Sequence, residues 1–256
     1  MNFQETVEYF NGVITKAQTL LCLSSSSSLQ VEQCRALDAL QYNAFRFKNA
    51  AISRSDEDES NFFLGYECVI GALRSELLTY ILLKRDMPNE AWDQLISAQI
   101  GCLDASRAHK SFDQCHQRIE QLITYENLFF PKQNFMSAGF VSDRLECSIC
   151  GKTYAKCPHL KGNPYMGVFC EIIHRNPVGH HVALVDSPDD KRCRVTSIQI
   201  KEGHQDRNSG EITPYKDNEL YIEDGTLNVT SILMAINRFP YLAATDDVLG
   251  ESGALA

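Results

Sequence analysis

The sequence predicts an α+β chain: an N-terminal antiparallel bundle of about five helices, then a small zinc-stabilised antiparallel β module and a C-terminal helix. Three observations lead there. Residues 1–130 hold one proline and four glycines, whereas the following 126 hold seven and ten, a shift from long helices to strands and turns. Apolar residues in the first part recur with a period near 3.6. The stretch "CSICGKTYAKCPH", residues 147–159, gathers three cysteines and a histidine.

The helices read off in order. Over 3–23 one face carries Phe3, Val7, Phe10, Ile14, Ala17 and Leu21, and over 29–52 it carries Leu29, Val31, Cys34, Leu37, Leu40, Ala44 and Phe47. The stripe over 60–85 runs from Phe62 and Phe63 through Tyr66, Val69, Ile70, Leu73 and Leu77 to Ile81 and Leu82. A fourth helix over 89–106 takes Asn89 as its N-cap and turns Trp92, Leu95, Ile96 and Leu103 inward; a fifth, over 110–129, uses Phe112, Cys115, Ile119, Leu122 and Ile123. The joints are polar: Ser24 to Ser28 is a flexible connection, and Ser53 to Ser60 reads as an acidic solvated loop.

After Pro131 the segments 168–174, 180–186 and 193–200 are short, β-rich and bounded by Gly, Pro, Asn and Asp, which predicts one small antiparallel sheet. Residues 203–225 read as a polar loop. Leu227, Ile232, Leu233 and Ile236 restore helical spacing over 227–242, and the tail beyond reads as poorly ordered. The organisation expected is therefore a helical bundle over 1–131, a zinc-binding β module over 132–201, and a polar loop, short helix and mobile tail over 202–256.

The net charge of −9 argues against a general nucleic-acid binder. It is unevenly spread: residues 1–131 carry 11 basic and 17 acidic side chains (−6), 132–201 carry 10 and 6 (+4), and 202–256 carry 3 and 10 (−7). The N-terminus lacks a basic n-region and the longest apolar runs are far short of a membrane span, so a soluble, cytoplasmic protein is expected. In that compartment ten cysteines read as thiols or metal ligands rather than disulfides. Cys22, Cys34, Cys68, Cys102 and Cys115, scattered singly among apolar positions, read as small buried hydrophobes.

Cys147-x2-Cys150 followed by Gly151 has the form of a metal knuckle, two thiolates on a tight turn whose next residue needs a positive φ. Cys157-Pro158-His159 adds a thiolate and an imidazole. Three sulfurs and one nitrogen suit tetrahedral zinc, and four protein ligands leave no position for water, so the ion is read as structural. Cys170 and His174, four apart, would share one face of a strand, where they pack the sheet, supplement or replace a ligand, or form a Cys–His pair. His180 and His181 are adjacent and should point to opposite faces of a strand. Lys152, Lys156, Lys161, Arg175, Lys191, Arg192 and Arg194, seven of the module's ten basic side chains, lie near Tyr154 and Tyr165.

The stretch from Leu145 to Val195 resembles a zinc-cassette pattern of uncharacterised bacterial and phage-associated proteins. Its elements are Cys-x2-Cys-Gly, Cys-x-His-x2-Gly, Tyr-x-Gly and a strand ending in an SLV-x2-Pro-like sequence. The matching positions are Cys147, Cys150, Gly151, Cys157, His159, Gly162, Tyr165, Gly167, Leu184, Val185 and Pro188. His180 and His181 stand where the pattern often has Glu, and Asp189 where it has Ala. The resemblance covers about a fifth of the chain and implies metal binding without assigning an activity.

Three functions follow as expectations. The first is a non-catalytic zinc-binding adaptor or sensor subunit, acting through protein contacts in a bacterial, phage-related or phage-defence, multi-protein system. The second is nucleic-acid binding through residues 132–201 and their basic side chains. The third is a hydrolase or nuclease using Cys170, His174, His180 or His181.

Overall fold

A computed structural model describes residues 2–216, 219, 221 and 225–250. Five helices come first: α1 (Phe3–Gln18), α2 (Ser27–Ser53), α3 (Glu57–Lys84), α4 (Pro88–Ala108) and α5 (Cys115–Phe129). The strands follow as β1 (Phe135–Val141), β2 (Arg144–Cys147), β3 (Pro164–Tyr165), β4 (Val168–Phe169), β5 (Ile172–Arg175), β6 (Val178–Val185), β7 (Val195–Ile200), β8 (Gly203–Asp206), β9 (Ile212–Thr213) and β10 (Val229–Ser231). A five-residue helix, α6 (Thr245–Leu249), ends the described chain. The α+β class, with helices first and small antiparallel sheets after, is the one the sequence predicts.

Helix starts are chemically marked. The Asn2 side chain accepts from the Glu5 amide while the Glu5 carboxylate accepts from the Asn2 amide, which closes a capping box on α1. The acidic stretch read as a loop is the start of α3. Asp56 caps it by accepting from the Glu59 amide at 3.0 Å, and Glu57, Asp58 and Glu59 occupy its first turn, where the helix dipole favours carboxylates. Asn89 is not the cap of α4. Pro88 takes the first helical position, which suits its fixed φ and missing N–H, and the Asn89 side chain is free to meet Arg194 and Asp206 at 2.8 and 2.7 Å.

α3 lies at the centre of the bundle. Nearly every residue from Phe63 to Leu82 is buried, so it packs all round between α2 and α4. Phe10, Leu37, Leu40, Leu77, Ile81, Trp92 and Leu122 fill the core. Phe3 and Leu29, at the ends of their stripes, are exposed. Cys34, Cys68, Cys102 and Cys115 are buried among apolar neighbours, but Cys22 is exposed and contacts Ser24 at the end of the α1–α2 connection.

Among the described residues the β region forms four small sheets rather than one. β1 pairs with β6, β2 with β5 and β3 with β4, while β10, β7, β8 and β9 make a four-stranded sheet in that order. That last sheet runs across position 201 and draws strands from 203–225 and 227–242. The helix expected over 227–242 is absent: Val229–Ser231 is strand β10, and Leu227 and Ile236 are 72% and 92% exposed. Pairing with β7 fixes an extended backbone there, against the apparent 3.6 spacing. The C-terminal helix lies further on, as α6. Residues 217, 218, 220, 222–224 and 251–256, which belong to the expected loop and tail, lie outside the described residues.

Residues 238–249 form a strap that returns to the bundle. Tyr241 is buried; its hydroxyl donates to Asp104 at 3.0 Å and its carbonyl accepts from Arg74 at 2.6 Å. The backbone fits because Gly71 and Gly101 leave room. A Cβ on Gly71 would lie 2.3 Å from the Tyr241 carbonyl oxygen, and one on Gly101 would lie 3.1 Å from the ring. Arg238 forks onto Asp104 at 2.9 and 3.0 Å, and Arg35 meets Asp246 at 3.1 Å.

Candidate metal centre

The centre is built at the end of β2. Cys147 is its last residue, and the chain turns back at once: the Gly151 amide donates to the Cys147 carbonyl and the Cys147 amide to the Lys152 carbonyl, both at 2.9 Å. Gly151 takes φ +68°, which a side chain would strain. A bridge between Glu146 and Thr153 completes the hairpin. Burial pushes the Cys147 thiol up, but the amides of Cys150 and Ile149 and the Cys157 and Cys170 side chains outweigh it and bring the thiol down to about 6. Cys147 therefore favours its thiolate, the form that binds metal.

The second pair arrives after the short turn Tyr154–Lys156. The Lys161 amide donates to the Tyr154 hydroxyl at 2.9 Å and the Leu160 amide to the Tyr165 hydroxyl at 3.0 Å, holding the loop that carries Cys157 and His159. The His159 ring stands edge-on to Tyr165, with centroids 4.6 Å apart. Tyr165 ends β3 and leads into the β3–β4 turn, whose residues Met166 and Gly167 both have positive φ. That turn presses on the bundle: the Gly167 amide donates to Asn61 at 2.8 Å and the Met166 amide to Glu57 at 3.1 Å. Phe169 buries itself against the helical core and stacks on Phe239.

The donor atoms of Cys147, Cys150, Cys157 and His159 all lie within 4.8 Å of one another. A tetrahedral ion with metal–sulfur bonds near 2.3 Å separates two sulfurs by about 3.8 Å, and a sulfur from an imidazole nitrogen by about 3.5 Å. Cys147 Sγ and His159 Nδ1 are 3.6 Å apart. The cluster fits a metal ion and could hold one. No protein family, curated protein or solved structure matches this chain. The geometry of the residues therefore carries the functional argument.

The remaining candidates divide. Cys170 is fully buried with Sγ 3.6 Å from Cys147 Sγ, beside the cluster but outside the four donors that lie within 4.8 Å of one another. His174 does not accompany it: β5 begins only at Ile172, and His174 is exposed near the other end, 2.9 Å from the Ser142 hydroxyl. His180 and His181 do not point to opposite faces. The β1–β6 register pairs Gly139 with His181 and Phe140 with Gly179, so His180 is the extra residue of a bulge. The two Nδ1 atoms are 3.1 Å apart, and the His181 ring occupies the space where Gly139 lacks a Cβ.

Of the seven basic candidates, Lys152, Lys156 and Lys161 are exposed around the centre. Arg175 is paired with Glu146 at 2.6 Å, Lys191 with Glu126 at 2.7 Å and Arg192 with Asp190 at 2.6 Å. Arg194 is 1% exposed, over the Trp92 ring. Tyr154 and Tyr165, near which the basic residues cluster in the sequence, hold the ligand loop through their hydroxyls. The sequence signal for Tyr165 was its place in the cassette pattern. Nothing in the local sequence signalled Tyr241 or the glycines facing it.

Proposed function

We propose that this chain is a non-catalytic adaptor or sensor subunit, stapled by one structural zinc ion and working through protein contacts. The observation that carries the proposal is the cluster of Cys147, Cys150, Cys157 and His159, whose donors supply all four vertices of a tetrahedral ion. Three thiolates and an imidazole suit zinc, whereas calcium and magnesium take oxygen ligands. The ion would be held on one side by β2 and on the other by the loop anchored through Tyr154 and Tyr165. It would thereby fix the β3–β4 hairpin that rests on α2 and α3.

A contact surface is offered by β6. Its eight residues, "VGHHVALV", include no charge and no proline, and its pairing among the described residues is with β1 alone. Val178, Val182 and Leu184 are 67%, 50% and 68% exposed. Open strand edges of this kind accept an added strand from another chain. A cytoplasmic setting accords with ten free cysteines, and a bacterial, phage-associated system with the cassette resemblance.

Metal analysis of the purified chain tests the proposal. One zinc per chain is expected, and Cys147→Ser should abolish it. A metal-free wild type, or a variant that keeps its zinc, would overturn the reading. Lys152, Lys156 and Lys161 are exposed beside the centre, so oligonucleotide binding at low salt that a Lys152, Lys156 and Lys161 triple alanine variant abolishes would favour the nucleic-acid function instead. Hydrolysis of an ester or nucleic acid that is lost in His181→Ala with zinc retained would favour the enzyme.

A further inference from the structure

Four donors gather at the end of β2, and a fifth, the Cys170 thiol, lies beside one of them. Cys147 Sγ is 3.6 Å from His159 Nδ1 and also 3.6 Å from Cys170 Sγ, and both separations approximate a tetrahedral edge. Resting on the zinc reading above, we propose that Cys170 is a reserve ligand for the same ion. It would take the vertex of His159 when the imidazole leaves, so the centre has two donor sets: three thiolates with one imidazole, or four thiolates.

The backbone, not a chance rotamer, puts Cys170 there. Its amide donates to the Asn163 carbonyl at 2.9 Å and its carbonyl accepts from Gly162 at 2.8 Å, closing the base of the β3–β4 hairpin. Gly162 has φ +80°, the conformation this return demands. One residue on, the Ser148 amide donates to the Glu171 carbonyl at 3.0 Å and the Glu171 amide to the Ser148 hydroxyl at 2.8 Å. Residues 147–148 and 170–171 are thus laced side by side, and the two thiols face each other with no solvent exposure.

The His159 side is the softer one. Its loop is at the surface: Pro158, Leu160 and Lys161 are exposed, and two tyrosine hydroxyls and one ring contact hold it. Exchange is balanced in protons. Cys170 must lose its thiol proton to bind, and the freed imidazole is a base that can accept it. The centre then gains one negative charge as His159 gains one positive charge, and Lys152, Lys156 and Lys161 stand nearby. Such an exchange would free the His159 loop without loss of the ion.

The test uses the full chain, metal analysis and cobalt substitution. Wild type should bind one metal with a three-thiolate spectrum. His159→Ala should keep one metal with a stronger thiolate-to-cobalt band, from three sulfurs to four, and His159→Ala with Cys170→Ser should lose it. Loss of metal from His159→Ala alone, or an unchanged band in that variant, would overturn the reserve role while leaving the zinc reading intact. A metal-free wild type would instead end the zinc reading and this inference with it. Cys170→Ser alone gives a second measurement that does not require removing His159. Zinc transfer to a chromogenic chelator should speed up severalfold, and an unchanged rate would overturn the proposal.

Discussion

The two parts of the chain are held together by different forces. In the bundle, α3 is buried along almost its whole length, and apolar side chains such as Leu37, Leu77 and Trp92 are within 1% of full burial. In the β region the short sheets leave Val178, Val182 and Leu184 exposed, and the buried positions include the thiols Cys147, Cys170 and Cys193 and the polar side chains Gln133, Glu146, Arg192 and Arg194. The first part is stabilised by area removed from water, which scales with size and tolerates change. The second depends on directional bonds: hydrogen bonds, ion pairs and the proposed metal bonds, each of which fails as a unit when a partner is removed.

The largest effect should come from removing a ligand. Cys147→Ser, or a strong chelator, is expected to cost the β region several kcal/mol. Limited proteolysis should then cut within 132–231 while the far-UV helical signal persists. Loss of the helical signal in the same step would show that the two parts stand or fall together. Next is the strap. Tyr241→Ala should destabilise the bundle by about 3–5 kcal/mol, read as a lower urea midpoint of the helical signal. An unmoved midpoint would mean that the bundle is complete without residues 238–249.

Gly71→Ala should cost about 1–3 kcal/mol on the same readout, because its new methyl meets the Tyr241 carbonyl. An effect of similar or smaller size, set by pH, sits at the seam between the parts. Burial pushes the Asp93 carboxyl up to about 6, against the pull of Arg194 and Arg192. The folded chain therefore holds this proton more tightly than the unfolded one, and stability falls as the pH rises from about 4 to about 6. Asp93→Asn lacks that loss. Its advantage over wild type should grow across this window by roughly 2 kcal/mol, read as the difference between the two urea midpoints at each pH.

The same contrast governs what could be read from the residues in order. The bundle helices other than α3 are legible because burial on one side imposes a period of 3.6, as Phe10, Ile14, Leu37, Leu95 and Leu122 show, although Phe3 and Ile123 at the ends of their stripes are exposed. The four donors were legible because knuckle geometry demands Cys-x2-Cys-Gly spacing within one loop. What failed depends on partners distant in sequence. Val229–Ser231 is a strand because β7 lies beside it, which no local spacing records. β1 was missed because "FMSAGFV" is short of β-branched residues and finds its partner some forty positions later. The His180–His181 orientation turned on one bulge opposite Gly139. The dense acids of 56–59 read as solvated loop because their cost as neighbours was plain, whereas the helix dipole that favours them appears only once α3 is formed.

Tyr241 also sets an order of events. A ribosome makes α1 to α5 long before it reaches the strap, so the nascent bundle holds an open slot between Gly71 and Gly101, where Arg74 keeps Asp38 and Gln41 as partners but Asp104 lacks Tyr241 and Arg238. During that interval the slot is open to water or to another chain's segment. Synthesis past residue 241 closes it, which makes the strap the step that tells a finished molecule from an unfinished one.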